Sequence, residues 1–274
     1  MDFLNMLNPV AKWIHIIAGI MWIGLLYFFN FINGHVVATM DGDTKKKVVP
    51  ELMPRTLFWF RWGAAYTWFT GMILLYIIFW NGSLGMGESE GMMSSEVNMW
   101  THMMILVTFL AVFVYDLLYK SSYTIWKWKF QNHLIKNTGL ITIISFLLIA
   151  GIEYAMLCCG NYSYRAMNIH IGAMFGTIMA FNVWFRIWPA QQEIITAIKN
   201  GDAPDGNLVA LAGLRSKHNT YLSVPLLWTM INQHTVVFNG KLFDCSGLVL
   251  LIIIALGWHI VFQLYKKSGK VSGF

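Results

Sequence analysis

Apolar residues run along this chain in long blocks separated by short polar stretches. Seven blocks stand out: Val10–Asn33, Phe58–Trp80, Met99–Tyr119, Thr138–Cys159, Ala166–Trp188, Thr220–Phe238 and Ser246–Tyr265. A helix needs about 20 predominantly apolar residues to cross the hydrocarbon core of a bilayer. The pattern therefore predicts an all-α polytopic bundle of seven transmembrane helices. The longest polar connections, around Asp41–Pro54 and Pro189–Lys217, are expected to lie outside the membrane. Within the second, Gln191–Asn200 reads as a short surface helix and Gly201–Gly206 as a turn. No Pro-rich or Gly/Ser linker divides the chain, so residues 1–274 are expected to form a single domain. The first block reads as a retained span, because Lys12 follows its first apolar residues and no small-residue cleavage site comes after it.

Composition agrees with a membrane protein. Hydrophobic residues make up 57% and charged residues only 12%, where a soluble domain carries about a quarter charged. The 13 Trp suit interfacial belts.

Charge sets the expected orientation. Taking alternate connections, 16 of the 19 Lys and Arg fall on one side, and Lys12, Arg165 and Lys241 on the other. The positive-inside rule places the larger set in the cytoplasm, with the N-terminus outside and the C-terminus cytoplasmic. Topology and anionic lipid account for the net charge of +6 without a nucleic-acid partner.

That orientation brings four histidines to one depth. His15, His102, His170 and His234 each lie about 6–9 Å below the outer boundary at 1.5 Å per residue. Ionisable groups in a bilayer are costly and mark function. Imidazoles at matched depth on separate helices are how a membrane protein holds haem or a metal. Gly19, Gly172, Gly176 and Ala180 follow His15 and His170 at helical spacing, leaving room for a flat macrocycle or for another helix. The expectation is haem b, one or two, with two or more of the four histidines on iron. Glu153 falls in the same outer quarter. His259 is deeper, and is a reserve ligand for an inner haem together with His218.

The inner side carries a second polar set. Arg215, Lys217, His218, Asn219 and Thr220 open the sixth block. Asn30, Asn33 and His35 close the first, Arg61 lies at the start of the second, and Asn182 and Arg186 close the fifth. Headgroup binding explains Arg and Lys. His218 and Asn219 suit a planar polar ligand better. Arg215, Lys217, His218 and Asn219 are thus the candidate catalytic residues, with His218 as a base.

Three stretches carry a family resemblance: Trp13–Gly24 (WIHIIAGIMWIG), His170–Gln191 (HIGAMFGTIMAFNVWFRIWPAQ) and Arg215–Pro225 (RSKHNTYLSVP) reaching on to His234. With Trp59–Gly71 they resemble the membrane domain of the bacterial cytochrome-linked urate oxidase (urate hydroxylase) family. The resemblance implies oxidation of urate to 5-hydroxyisourate, electrons leaving to an external cytochrome c, and residence in the bacterial inner membrane. Members often carry a C-terminal c-type cytochrome domain. This sequence shows no Cys-x-x-Cys-His and no eighth span after Tyr265. Two other readings stay open: a non-catalytic cytochrome b electron-transfer subunit, and a transporter with a structural metal.

Two smaller expectations concern the outer face. Cys245 is placed to pair with Cys158 or Cys159, since an oxidising milieu permits a disulfide there. Glu88, Glu90 and Glu96 lie in a loop without Lys or Arg, which would steer a basic cytochrome c.

Overall fold

The computed structural model describes residues 3–80, 98–119, 122–125, 128–131, 138–232 and 246–271. Helices dominate these residues. They are α1 (Phe3–Phe28), α2 (Gly34–Thr39), α3 (Gly42–Leu75), α4 (Met99–Leu118), α5 (Thr138–Cys158), α6 (Tyr164–Asn182), α7 (Trp188–Asn200), α8 (Gly206–Ile231) and α9 (Ser246–Ser268). π-helical turns at Phe29–Asn33, Tyr76–Trp80 and Val183–Ile187 extend α1, α3 and α6. A short antiparallel hairpin joins β1 (Ser122–Ile125) to β2 (Trp128–Gln131) between α4 and α5. The sequence pattern did not announce it.

Among the described residues, six helical stretches are long and apolar enough to span a bilayer: Met6–Thr39, Gly42–Trp80, Met99–Leu118, Gly139–Cys158, Tyr164–Asn200 and Gly247–Ser268. The protein is a multi-pass membrane protein. The expected sixth span falls in α8, which begins well before Thr220, and whose first half is too polar to count by hydropathy.

The structure makes the first polar connection helical, and in the second it bears out the short helix and the turn that follows it. Residues around Asp41–Pro54 are not a loop but the first turns of α3. Asp41 caps that helix, its carboxylate accepting from the Thr44 amide at 2.9 Å. Pro50 and Pro54 are carried inside it. Pro189–Lys217 is likewise mostly helical. Pro189 sits in the first turn of α7, where its missing N–H is no loss. Gly201 ends that helix with φ 87°, a left-handed conformation glycine adopts without a Cβ clash. The Lys46 side chain lies over Gly201, bringing a cation to the negative end of α7. Ala190, Ile194 and Ala212 pack α7 on the start of α8.

The described residues gather into two compact units. The first comprises Met1–Gly85, Phe175–Trp228 and Ile253–Phe274. In it, α1 and α3 approach closely because glycine removes the side chains between them. A Cβ on Gly63 would lie 3.2 Å from the Ala18 carbonyl and the Trp22 amide. Trp22, Leu26, Phe60 and Ala64 fill the rest of the seam. Hydrophobic burial gives little drive inside lipid, so this contact rests on van der Waals packing. The Arg61 guanidinium lies between two indoles, 5.0 Å from the Trp184 ring and 4.0 Å from Trp188. Trp184 also donates to the Arg61 carbonyl at 3.1 Å.

The second unit comprises Met86–Met174 and Thr229–Ile252. Asn98 starts α4 with a reciprocal cap, accepting from the Thr101 amide at 3.0 Å while Thr101 accepts from the Asn98 amide at 3.1 Å. The same two residues bind the α5–α6 turn. Asn98 donates to the Cys159 carbonyl at 2.9 Å, and Thr101 to the Gly160 carbonyl at 2.8 Å. Tyr162 returns a bond to the Thr101 carbonyl at 3.0 Å. Further along α6, Asn168 donates to the Thr229 carbonyl at 3.1 Å.

Candidate functional site

In the first unit, the polar residues of α8 stand on different faces. Arg215 and Asn219 are one turn apart and point at the end of α6; both are fully buried. The Asn219 amide is held at each end. It donates to the Met179 carbonyl at 3.0 Å and accepts from the Asn182 amide at 2.8 Å. Arg215 donates to the other end of Asn182 at 3.4 Å.

A second set of bonds ties α8 to α1 and α9. Asn30 donates to Ser216 at 2.8 Å and accepts from the Tyr265 hydroxyl at 2.8 Å. Ser223 spends its hydroxyl proton on the Thr220 carbonyl at 2.8 Å, so Tyr27 is the donor in its 3.0 Å bond to Ser223. The π-helical turns beginning at Phe29 and Val183 border this network beside Asn30 and Asn182. Such turns recur at functional sites because they re-aim side chains.

The structure thus brings Arg215, Asn219 and Asn182 together. Lys217 is on the far face of α8, exposed, its ammonium 5.5 Å from the Tyr265 ring. His218 is half-buried, just ahead of the apolar segment that starts at Thr220. Burial, with Arg215 and Lys217 adding, holds its imidazole below the ordinary value, so the ring is neutral at pH 7. A neutral ring has one unprotonated nitrogen that can accept a hydrogen bond, but held that low it is a weak base. Tyr27, Tyr265, Ser216 and Ser223 went unnoticed in the sequence. Their signal was hydroxyls on apolar helices, with Ser216 and Ser223 two turns apart on one face of α8.

His15, His102 and His170, three of the four histidines expected at one depth, share one chemical feature. Thr70 donates to the Tyr66 carbonyl at 2.6 Å, so its oxygen accepts from His15 Nδ1–H at 3.1 Å. His102 Nδ1 lies 3.1 Å from the Asn98 carbonyl, and His170 Nδ1 lies 2.7 Å from the Ala166 carbonyl. A carbonyl only accepts, so Nδ1 carries the proton in all three and Nε2 keeps its lone pair. This is the tautomer a metal-ligating histidine adopts when an outer partner orients it. His15 is half-buried in the first unit; in the second, His170 is fully buried and His102 exposed. Tyr162 meets His170 edge-on at 5.1 Å. Burial pushes the Tyr162 phenol upward, so it stays protonated.

The small residues near these histidines serve helix packing. A Cβ at Gly172 would run into the Thr229 side chain, Gly176 faces Leu226, Gly19 faces Thr67, and Gly71 lies against the His15 ring. Among the described residues, no group of three or more His, Cys, Asp or Glu is arranged to hold a metal ion. Glu153 is 1% exposed, and neither of its carboxyl oxygens has a hydrogen-bond partner among the described residues. His259 is exposed on α9. Cys158 and Cys159 are free thiols among the described residues. His234, Cys245, Glu88, Glu90 and Glu96 lie outside the described residues.

The family model for the urate oxidase N-terminal domain matches residues 42–272. The chain belongs to this family. The match covers most of the chain, including His102, His170, His234, Asn182 and the Arg215–Asn219 stretch, and begins after the helix that carries His15. No curated protein and no solved structure matches the sequence. Membership of the urate oxidase N-terminal family agrees with the resemblance carried by His170–Gln191 and Arg215–Pro225.

Proposed function

We propose that this protein oxidises urate to 5-hydroxyisourate in the bacterial inner membrane and passes the electrons through haem b to an external cytochrome c. The family match over residues 42–272 carries the reading. The buried polar network of the first unit supplies suitable chemistry. Urate is a planar anion whose edge alternates N–H donors and carbonyl acceptors. The Arg215 guanidinium favours its charge, the Asn182 and Asn219 amides suit its edge, and neutral His218 accepts from a ring N–H. Lys217, on the far face of α8, attracts the anion from a distance.

Hydroxylation adds the oxygen of water and releases two electrons and two protons, so an electron acceptor is required. His15, His102, His170 and His234 are the residues that would hold the haem iron, two or more of them as ligands. The donor set fits iron, since each described ring keeps Nε2 unprotonated. Haem bound there supplies one-electron acceptance and transfer. The charge bias places the histidines near the outer face, where a soluble cytochrome c collects the electrons. Anaerobic addition of urate to the purified protein, followed by its visible spectrum, tests this function.

A further inference from the structure

The last helix presents two unlike stripes. Ile254, Gly257 and Val261 are buried, and Gly257 admits Pro225 of α8 so closely that a Cβ would sit 3.0 Å from the proline ring. The opposite stripe holds Leu256, His259, Ile260 and Gln263 at helical spacing, all exposed. Leu256 and Ile260 are ordinary lipid-facing residues. His259 and Gln263 are not. His259 lies six residues before Tyr265, where the last apolar block ends, about 9 Å into the bilayer at 1.5 Å per residue. Lipid offers it neither water nor a headgroup, and polar side chains at that depth face protein or a water-filled cavity.

Their hydrogen bonding is half complete. The Gln263 amide N–H donates to His259 Nε2 at 3.2 Å. That bond places the ring proton on Nδ1. Nδ1–H of His259 and the Gln263 carbonyl oxygen then remain unused, with no further partner among the described residues. One is a donor and the other an acceptor, one turn apart on one face.

We propose that this stripe of α9 is the contact between two copies of the chain, related by a two-fold axis along the membrane normal. Copies inserted in the same orientation present the same stripe at the same depth. Across such an axis the leftover donor of each copy meets the leftover acceptor of the other, so both polar residues are satisfied by the surface itself. A self-complementary patch is the mark of an isologous dimer, the commonest symmetric assembly. Leu256 and Ile260 pack the rest of the seam. This inference does not depend on the haem or on urate.

The test uses the full chain in native membranes, with Cys158, Cys159 and Cys245 replaced by Ser. Leu256→Cys should cross-link under mild oxidation to a product at twice the monomer mass, and Ile254→Cys on the buried stripe should not. Combining His259→Leu with Gln263→Leu should weaken association between donor- and acceptor-labelled copies in vesicles. A transmembrane hydrogen bond is worth about threefold in association, so the loss should be on the order of tenfold for the reciprocal pair. A cross-linked product of any other mass would assign the stripe to a different protein and overturn the proposal. So would no cross-link at position 256, equal cross-linking at 254, or loss of a haem spectrum in His259→Leu.

Discussion

Asn182 donates its side-chain amide to Asn219 at 2.8 Å, joining the last residue of α6 to the buried face of α8. Asn219 also holds the Met179 carbonyl, and Arg215 reaches the side-chain oxygen of Asn182. Two helical turns of different sequence origin, one of α6 and one of α8, are thereby fixed around one guanidinium. Asn219→Leu leaves the Asn182 amide and the Met179 carbonyl without this partner. It should cost about 1–3 kcal/mol of stability, read as a lowered thermal midpoint. The double variant Asn182→Leu, Asn219→Leu should lose less than the sum of the single changes, because the two residues share a bond.

Glycine at 172 is required by its neighbour. An added Cβ meets the Cβ of Thr229 at 2.8 Å, and that atom is not the end of a flexible side chain. Gly172→Val should destabilise by about 1–3 kcal/mol or more through overpacking. Gly172→Val combined with Thr229→Gly should recover part of the loss. Denaturation in detergent measures both.

Much of this fold was legible because lipid imposes a simple rule. Every backbone group must be bonded within its segment, so a long apolar block becomes a helix. The starts and ends of helices were less legible. Lys45, Lys46 and Lys47 are polar enough to read as a loop, yet the Asp41 cap extends α3 through them. The polar first half of α8 was hidden for the same reason. Arg215 and Asn219 could be singled out from sequence. Lys217 could not be separated from them, because facing α6 or α9 is a matter of helix phase against neighbours that sequence does not place. Glycines after His170 left room for a macrocycle or for another helix, and it is Thr229 and Leu226 of α8 that occupy that side.

The Asp41 cap gives a pH dependence. Its carboxyl is held below the ordinary range, first by the Thr44 amide and then by the Thr44 hydroxyl. A depressed native pKa stabilises above the unfolded value, about 3.9, and the effect fades as pH falls through the native one. Asp41→Ala should therefore lower the thermal midpoint at about pH 6, and the gap to the unsubstituted protein should close as pH drops below about 4. A gap that stays constant with pH contradicts the role of the charge.

The acidic outer loop gives a kinetic test of the proposed partner. Replacing Glu88, Glu90 and Glu96 by Gln should slow cytochrome c reduction at low salt and flatten its dependence on ionic strength. An unchanged rate at every salt concentration would exclude this loop as the docking surface.

Single Ala substitutions at His15, His102, His170 and His234 test the proposed ligands. At least two of the four should lose the low-spin haem spectrum while the protein still inserts into the membrane. A full spectrum in all four variants would contradict haem ligation by this set.

The most direct test of the account is the anaerobic spectrum of the purified protein before and after urate. The account predicts an oxidised b-type haem whose reduced bands appear on urate addition, and appear far more slowly in Arg215→Ala and Asn219→Ala. A haem that dithionite reduces but urate does not would contradict it in favour of a non-catalytic electron-transfer subunit, and protein purified without haem would contradict it outright.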